Sequence, residues 1–245
     1  MVNFLIVGIQ RSGTTYIRRC LDSHSMIKCH GEVFQKRYRD PFGYYEYISG
    51  SLLRRTGNVL FRGLVVDRYL DYLSSASTEP FVGFKLMRSQ VRRIPYRFPM
   101  LLGRLKRGDI KVIQIVRRNV LKTHLSRLST QVSGRYHAKS DVDVTKLMVD
   151  TSCLISGLDK IRAENEWWLE FLSGTGSMVV EYENFVADKE AESRRILDFL
   201  GISHYEELSS ANRKINPDDI SELVMNYSEV ASMLHDTCYE YCLKD

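Results

Sequence analysis

The sequence of 245 residues lacks the features that mark membrane-spanning, secreted or nucleic-acid-binding proteins. No apolar run reaches the roughly 20 residues of a membrane-spanning helix, and no basic start followed by a long apolar run indicates a signal peptide. The five cysteines are odd in number and are not spaced as metal ligands, which predicts reduced thiols and a cytoplasmic protein. A net charge of +5 without a long basic block favours an anionic ligand over nucleic acid.

Repeats and low-complexity tracts are also missing, and apolar segments instead alternate with amphipathic ones. The apolar segments predict buried strands at residues 4–8, 81–87, 109–116 and 177–182. The amphipathic segments predict helices that begin at residue 14 and at residues 216–218, and that cover residues 65–75, 120–130, 144–172 and 189–200. This alternation predicts one α/β domain over residues 1–245, with a central, mostly parallel sheet flanked by helices.

Three segments between these elements are interpreted as irregular. The aromatic-rich residues 35–50 suit a surface or lid region, residues 91–108 a basic connection, and residues 131–143 a mobile loop. Trp167 and Trp168 are interpreted as core packing. Since ligands of parallel α/β sheets lie at the carboxyl ends of the strands, the candidate site is expected where Arg11, Arg117 and Arg118 emerge.

The stretch from Phe4 to Tyr16 is typical of a phosphate-binding loop. A buried strand ends at Gly8, a tight loop runs to Gly13, and a helix begins at Thr14. Loop N–H groups and the positive end of the helix then point at one place. The spacing nearly matches the triphosphate motif G-x-x-x-x-G-K-[ST], but Thr14 replaces its lysine and the cation lies inside the loop at Arg11. A tight turn with an incidental arginine is the alternative interpretation.

Two segments resemble sulfotransferases that use 3′-phosphoadenosine 5′-phosphosulfate (PAPS), especially bacterial and carbohydrate-type members. Residues 11–15, with the sequence RSGTT, resemble their 5′-phosphosulfate-binding loop. Arg118, at the end of the third predicted strand, precedes Ser126 by eight residues, as do the Arg and Ser that hold the 3′-phosphate in the family. Arg117 is the reserve candidate for that role. Weaker similarities lie at residues 84–87, 180–185 and 196–201, so the matches span residues 4 to about 202 in the family's order.

The resemblance implies a P-loop-like sulfotransferase fold, PAPS as donor, and adenosine 3′,5′-bisphosphate (PAP) as product. The implied donor-binding residues are Arg11, Ser12, Gly13, Thr14, Thr15, Arg118 and Ser126, with Tyr16 against the adenine. Tyr16 is almost equally well interpreted as a core or surface residue. The implied transfer is of a sulfuryl group to an acceptor hydroxyl, with a sugar or a glycolipid as the expected acceptor.

Three further residues are candidates for the chemistry. Glu32 lies in a segment similar to the G-E-x-F of bacterial carbohydrate sulfotransferases, which implies a general base. His30 is the rival, because cytosolic members use a histidine from another segment. Both residues also suit a plain polar turn. Lys85 interrupts an apolar strand, so its ammonium is expected to enter the site unless the strand lies at an edge.

No metal is expected at this site. A sulfuryl group carries one charge, which N–H groups and one or two fixed cations can neutralise, whereas phosphoryl transfer normally recruits Mg²⁺ and a P-loop lysine. The third strand ends in Arg117 and Arg118 rather than in a metal-binding aspartate, although two solvated arginines are the plainer interpretation. A small-molecule kinase or NTPase with a degenerate P-loop, and a protein that only binds the donor, remain as alternatives, and the oligomeric state stays open.

Overall fold

A computed structural model describes residues 2–36, 41–92, 99–133, 146–210 and 219–244. The strands within these ranges are β1 (Phe4–Gly8), β2 (Ile27–His30), β3 (Phe81–Met87), β4 (Lys111–Val116) and β5 (Ser177–Glu181). They form one sheet in the order β2-β3-β1-β4-β5, and every neighbouring pair is parallel. The α/β class and the parallel sheet predicted from the sequence are therefore confirmed.

Helices cover both faces of this sheet. They are α1 (Thr14–Asp22), α2 (Tyr44–Ser49), α3 (Leu52–Leu60), α4 (Arg62–Ser75), α5 (Arg88–Arg92), α6 (Pro99–Lys106), α7 (Val120–Ser133), α8 (Leu154–Phe171), α9 (Tyr182–Ala187), α10 (Lys189–Leu200), α11 (Ile220–Leu223) and α12 (Tyr227–Leu234). Short 3₁₀ turns occupy Thr151–Cys153 and Glu240–Leu243. No helix among these is long and apolar enough to cross a membrane.

Strand β1 lies at the centre of the sheet and is buried on both faces. Leu5 and Val7 belong to a core cluster on one face, and Phe4 and Ile6 belong to a second cluster on the other. This alternation follows from the two-residue period of a strand. On the neighbouring strand, Gly83 leaves room for the Phe4 ring, since a Cβ atom there would lie 2.4 Å from ring carbons.

Within residues 41–50, Tyr44 differs from the surface or lid region predicted for this segment. Tyr44 is fully buried, and its ring contacts the rings of Phe34 and Tyr69 at centroid distances of 5.1 Å. Its hydroxyl donates to Asn58 Oδ1 at 2.7 Å. A tyrosine can therefore face the core while its polar end stays hydrogen-bonded. The prediction of a surface or lid region was wrong for Tyr44, whereas residues 45–50 are exposed or partly exposed.

Other boundaries also differ from the sequence predictions. The basic connection contains α6, whose Leu101 and Leu105 are buried. Its Arg104 is also largely buried and is paired with Asp67 and Asp71 at 2.7 and 3.1 Å. The segment 144–172, predicted as one long helix or two, forms a short 3₁₀ turn at Thr151–Cys153 and one helix that begins at residue 154. Most of the loop predicted at 131–143, and the helix start predicted at 216–218, lie outside the described residues.

Candidate active site

The sheet topology places two loops together at one edge. After β1 the chain builds β2 and β3 on one side of β1, and then β4 and β5 on the other. The loops that follow β1 and β4 therefore leave in opposite directions from adjacent strands. The crevice between two such loops, at the carboxyl ends of the strands, is the usual ligand-binding position of open α/β sheets. Arg11 lies in the first of these loops and Arg117 in the second.

The loop after β1 is held in a tight conformation. Arg11 and Gly13 both have left-handed backbone, with φ values of 69° and 89°, a pattern typical of loops whose N–H groups converge on an anion. The Ser12 hydroxyl is buried and donates to the Ile9 carbonyl at 2.9 Å, so this side chain closes the loop. Behind the loop, Trp168 Nε1 donates to the Gly8 carbonyl at 3.1 Å. The prediction that Trp168 is a core residue is confirmed.

Gly13 begins α1 under the ring of Tyr182. A Cβ atom at Gly13 would lie 2.1 Å from the Tyr182 ring, and the positive φ also disfavours a side chain. The first N–H groups of α1 have no acceptor within the helix, so the loop and the helix start offer donors to the same anion. This agrees with the phosphate-binding loop expected from the sequence.

Arg11 connects the loop to helix α7. Its Nε donates to Ser126 Oγ at 2.8 Å, although the two residues are 115 positions apart. Arg117 Nη1 donates to the Arg11 carbonyl at 3.5 Å. Burial, and then the charge of Arg117, lower the pKa of Arg11. Two cations and a hydroxyl therefore lie together beside the loop, which favours an anion at this position.

The two arginines after β4 have different surroundings. The Arg117 guanidinium is largely buried and lies 5.2 Å from the centre of the Tyr182 ring. The Arg118 side chain is 54% exposed, and its Nε lies 3.4 Å from Glu181 Oε2. Glu183 accepts from the backbone N–H groups of Arg118 and Asn119 at 3.0 and 3.3 Å, which fixes the start of α7. The structure thus brings Arg117 to the loop and pairs Arg118 with Glu181.

Lys85 and Glu32 form an ion pair on the other side of α1. Lys85 Nζ lies 3.1 Å from Glu32 Oε1 and donates to Thr15 Oγ1 at 3.1 Å. Glu32 Oε2 accepts from Gln90 Nε2 at 3.3 Å. Burial lowers the pKa of Lys85, while the charge and hydrogen bond of Glu32 act in the opposite direction. Lys85 thus lies inside the sheet between β1 and β2 and faces the site, as expected for a partnered lysine.

His30 and Tyr16 are both packed against aromatic rings. His30 ends β2, is nearly fully buried, and has its ring centre 4.9 Å from that of Phe42. Tyr16 meets the rings of Tyr182 and Phe185 edge-on at 6.4 and 6.0 Å. The Glu32 side chain is 28% exposed, so of the two candidate bases Glu32 is the more accessible to an acceptor.

A cleft of about 330 Å³ opens beside the Lys85–Glu32 pair. One wall is a single face of α1, because Thr15, Arg18, Arg19 and Asp22 recur at helical spacing. Lys28 of β2 adds a further cation. The sequence analysis missed these basic residues, although their spacing from Thr15 was the signal that could have identified them.

The whole arrangement is suited to transferring an anionic group. The loop and Arg11 can hold an anion at the start of α1, and Ser126 lies next to Arg11. The Lys85 ammonium touches Thr15 on that helix, and the Glu32 carboxylate lies on its far side in an open cleft. A carboxylate next to an anion-binding loop can accept a proton from a hydroxyl, and the cations can stabilise the charge that moves.

Comparisons with known proteins identify the family of this chain. The model of the family described as "Sulfotransferase domain" matches residues 2–235. No curated protein gives a significant match.

Similar solved structures include a sulfotransferase from Alicyclobacillus acidocaldarius, with 17% identity, 100% of this chain and 96% of that chain covered, and a TM-score of 0.47. The sulfotransferase domain of the Synechococcus PCC 7002 olefin synthase has 15% identity and a TM-score of 0.49, with 100% of this chain and 88% of that chain covered. Mouse sulfotransferase SULT7A1 complexed with PAP has 12% identity and a TM-score of 0.51, with 99% of this chain and 87% of that chain covered. With a family model that matches 2–235, the chain belongs to the sulfotransferase family of enzymes.

Proposed function

We propose that this sulfotransferase transfers the sulfuryl group of PAPS to a hydroxyl group of a carbohydrate or glycolipid. The observation that carries the proposal is the junction of the Arg11 loop with Ser126 on one side and with the Lys85–Glu32 pair on the other. The solved structure of the mouse enzyme complexed with PAP supports this choice of donor.

The donor-binding residues are proposed to divide between the two phosphate positions. The loop from Arg11 to Thr15 would hold the 5′-phosphosulfate through its N–H groups and the Arg11 charge. Arg118 and Ser126 would hold the 3′-phosphate. Arg118 would leave Glu181 to bind that phosphate. Breaking the ion pair would cost little free energy, because an ion pair this exposed contributes about 0–1 kcal/mol. Tyr16 would lie near the adenine.

The chemistry is proposed to use Glu32, Lys85 and Arg11. PAPS supplies the sulfuryl group as an activated anion. Glu32 would release Lys85 and accept the proton of the acceptor hydroxyl. Lys85 would then be free to stabilise the sulfuryl oxygens, while Arg11 lies beside the oxygen that leaves with the phosphate. His30, packed on Phe42, would orient the end of β2 unless it replaces Glu32 as the base.

The cleft supports a polar acceptor. Its volume of about 330 Å³ lies at the small end of the roughly 300–1,000 Å³ of ligand pockets, which suits one or two sugar rings. Charged side chains line it, among them Arg18, Lys28 and Glu32, and these can hydrogen-bond to several hydroxyl groups at once. An apolar acceptor would leave such groups without partners.

The kinase alternative is disfavoured by the end of β4. The strand ends at Val116 and continues into Arg117 and Arg118, where a metal-dependent phosphoryl transferase places a carboxylate. We also propose, as predicted from the sequence, that residues 1–245 form one sulfotransferase domain that works in the cytoplasm without a metal.

A transfer screen with isotope-labelled PAPS tests the proposal. Wild-type protein is incubated with labelled PAPS and libraries of sugars, glycolipids and other small hydroxyl compounds, and the products are read by mass. Labelled sugar products are expected, and Glu32→Gln should remove them. Phosphoryl transfer from Mg-ATP would instead establish the kinase alternative. Tight PAP binding with no transfer to any acceptor would reduce the protein to a donor-binding protein.

A further inference from the structure

Helix α3 presents its apolar side to solvent. Leu52, Leu53, Val59 and Leu60 fall within about 120° of the helix circumference at 100° per residue. Their exposed fractions lie between 68% and 84%, and no residue of the helix is buried. An amphipathic helix that packs only on its own protein would have the opposite orientation.

The side of α3 that carries Gly57 and Asn58 faces the protein. Asn58 accepts a hydrogen bond from the buried Tyr44, and the Arg54 guanidinium lies 4.1 Å from the centre of the Tyr47 ring. Gly57 packs against Val65 of α4, since a Cβ atom there would lie 3.2 Å from Val65 Cγ2. These contacts fix the rotation of the helix, so the exposure of the leucines is a consequence of its packing.

The apolar side extends beyond α3. Phe61 and Leu64 at the start of α4 are 65% and 48% exposed. Met100 of α6 is also exposed and lies next to Gly63 of α4. Together these residues and the four of α3 form what we call the α3 patch: Leu52, Leu53, Val59, Leu60, Phe61, Leu64 and Met100. Several large apolar side chains exposed on neighbouring helices are typical of an interaction site.

The segment that carries α3 and the start of α4 is basic, and Asp67 and Asp71, which follow on α4, are paired with Arg104. Residues 47–66 contain three arginines and no acidic residue. Arg54, Arg55 and Arg62 are all exposed, and among the described residues each donates to a backbone carbonyl rather than to a carboxylate. We propose that the α3 patch docks this protein on the surface of an anionic lipid membrane.

A membrane surface fits this combination better than a second copy of the chain. Leucine and phenylalanine on one side of a helix with arginines beside them are typical of helices that lie in the interface of a bilayer. Anionic head groups supply the negative charge that can pair with these arginines. A two-fold contact between copies would instead place the same three arginines near one another without acidic partners in the segment.

Vesicle flotation tests the proposal with the whole protein. Wild-type protein is mixed with vesicles of phosphatidylcholine alone or of phosphatidylcholine with phosphatidylglycerol. We expect at least ten-fold stronger binding to the anionic vesicles, because each basic residue near such a surface adds favourable energy, and weaker binding at high salt. Leu53→Ser combined with Leu60→Ser should reduce the binding at least ten-fold, and Arg55→Gln combined with Arg62→Gln should remove the preference for the anionic lipid.

Leu169→Ser combined with Val186→Ser is the matched control, because Leu169 and Val186 are about half exposed outside the patch. This control should bind vesicles as the wild type does, and all variants should unfold at the wild-type temperature. Equal binding to neutral and anionic vesicles, or no binding to either, would overturn the proposal. If the wild-type protein does not bind vesicles but forms a dimer by light scattering, and the combined Leu53→Ser and Leu60→Ser variant is a monomer, the patch contacts a second copy of the chain instead.

Discussion

At the scale of single residues, Glu32 separates the chemical step from donor binding. Glu32→Gln keeps the shape of the side chain but removes the proposed base, and its amide can accept only one of the two hydrogen bonds that Lys85 and Gln90 donate. We expect transfer to fall about 10²–10⁴-fold while PAP affinity stays near the wild-type value. The measurements are single-turnover transfer and calorimetric PAP binding. His30→Ala is the matched comparison, and if it causes that loss while Glu32→Gln does not, the base is the histidine.

Arg11 is expected to act mainly on turnover. Charge builds on the oxygen between phosphate and sulfur during transfer, so a cation beside that oxygen contributes more in the transition state than in the ground state. We expect Arg11→Ala to lower the transfer rate about 10²–10³-fold. Arg11→Lys should recover part of the rate, because lysine keeps the charge but loses the guanidinium fork.

The two Arg11 variants also control for backbone strain. Residue 11 has a φ of 69°, and alanine and lysine meet the same left-handed penalty as arginine there. A difference between the variants therefore reports the side chain. Single-turnover rates and PAP affinities of all three proteins are compared, and a loss of affinity with an unchanged chemical step would make Arg11 a donor-binding residue only.

The sequence predicted the residues that lie close together along the chain better than those that meet through the fold. The loop from Arg11 to Thr15 was identified because its residues are consecutive. The contact of Arg11 with Ser126 depends on the pairing of β1 with β4, which no local pattern encodes. The same holds for Tyr182, whose ring covers Gly13 from a distant strand end.

At the scale of elements, helix α8 supports the loop through one hydrogen bond. Trp168→Phe removes the donor to the Gly8 carbonyl and leaves a buried acceptor, which should cost about 1–3 kcal/mol of unfolding free energy. PAP affinity should fall as well, because the loop loses its support. Denaturant unfolding and calorimetry measure both effects.

Trp167→Phe is the control for that variant. Trp167 is only partly buried and stacks on Phe171 at 4.8 Å, so its replacement should leave the loop unchanged. Equal losses of PAP affinity in the two variants would show that the hydrogen bond of Trp168 does not support the loop.

The elements that the sequence missed have a physical explanation. Strand β2 is four residues long and alternates Lys28 and His30 with apolar residues, so it lacks the continuous apolar run of the buried strands. Helix α3 has a helical apolar pattern, but its arginines and glycine obscured it, and its apolar side faces solvent. The central strands β1, β3 and β4 were predicted because burial on both faces makes them mostly apolar, with Lys85 and Gln114 as buried polar exceptions.

At the scale of the whole molecule, the proposed role of Lys85 makes the transfer rate depend on pH. Burial holds the pKa of Lys85 below the usual 10.5, so Lys85 loses its charge at a lower pH than an exposed lysine. We expect the transfer rate to fall on the alkaline side below pH 10.5. Lys85→Arg should move this fall to higher pH, because arginine keeps its charge. A pH profile unchanged in Lys85→Arg would remove Lys85 from the chemistry.

The lowered pKa of Lys85 also determines how the free energy of unfolding changes with pH. Between the folded and the unfolded pKa of Lys85, the unfolded chain binds more protons than the folded one. The contribution of Lys85 to the free energy of unfolding therefore rises with pH through that window, and is lost as the pH falls below it. Denaturant unfolding at several alkaline pH values, compared between wild type and Lys85→Arg, measures this difference.

Calorimetric titration with PAP, AMP and Mg-ATP tests the central claim that the loop and α7 form a site for a nucleotide with two separate phosphates. We expect PAP to bind more tightly than AMP by about 1.5–3 kcal/mol, the value of a charged hydrogen bond, or about 10- to 100-fold. Arg118→Ala should abolish the preference for PAP over AMP. Arg117→Ala, which removes the brace of the loop, should weaken both nucleotides equally. Equal affinities for PAP and AMP in the wild type, or tight binding of ATP that requires Mg²⁺, would contradict the account.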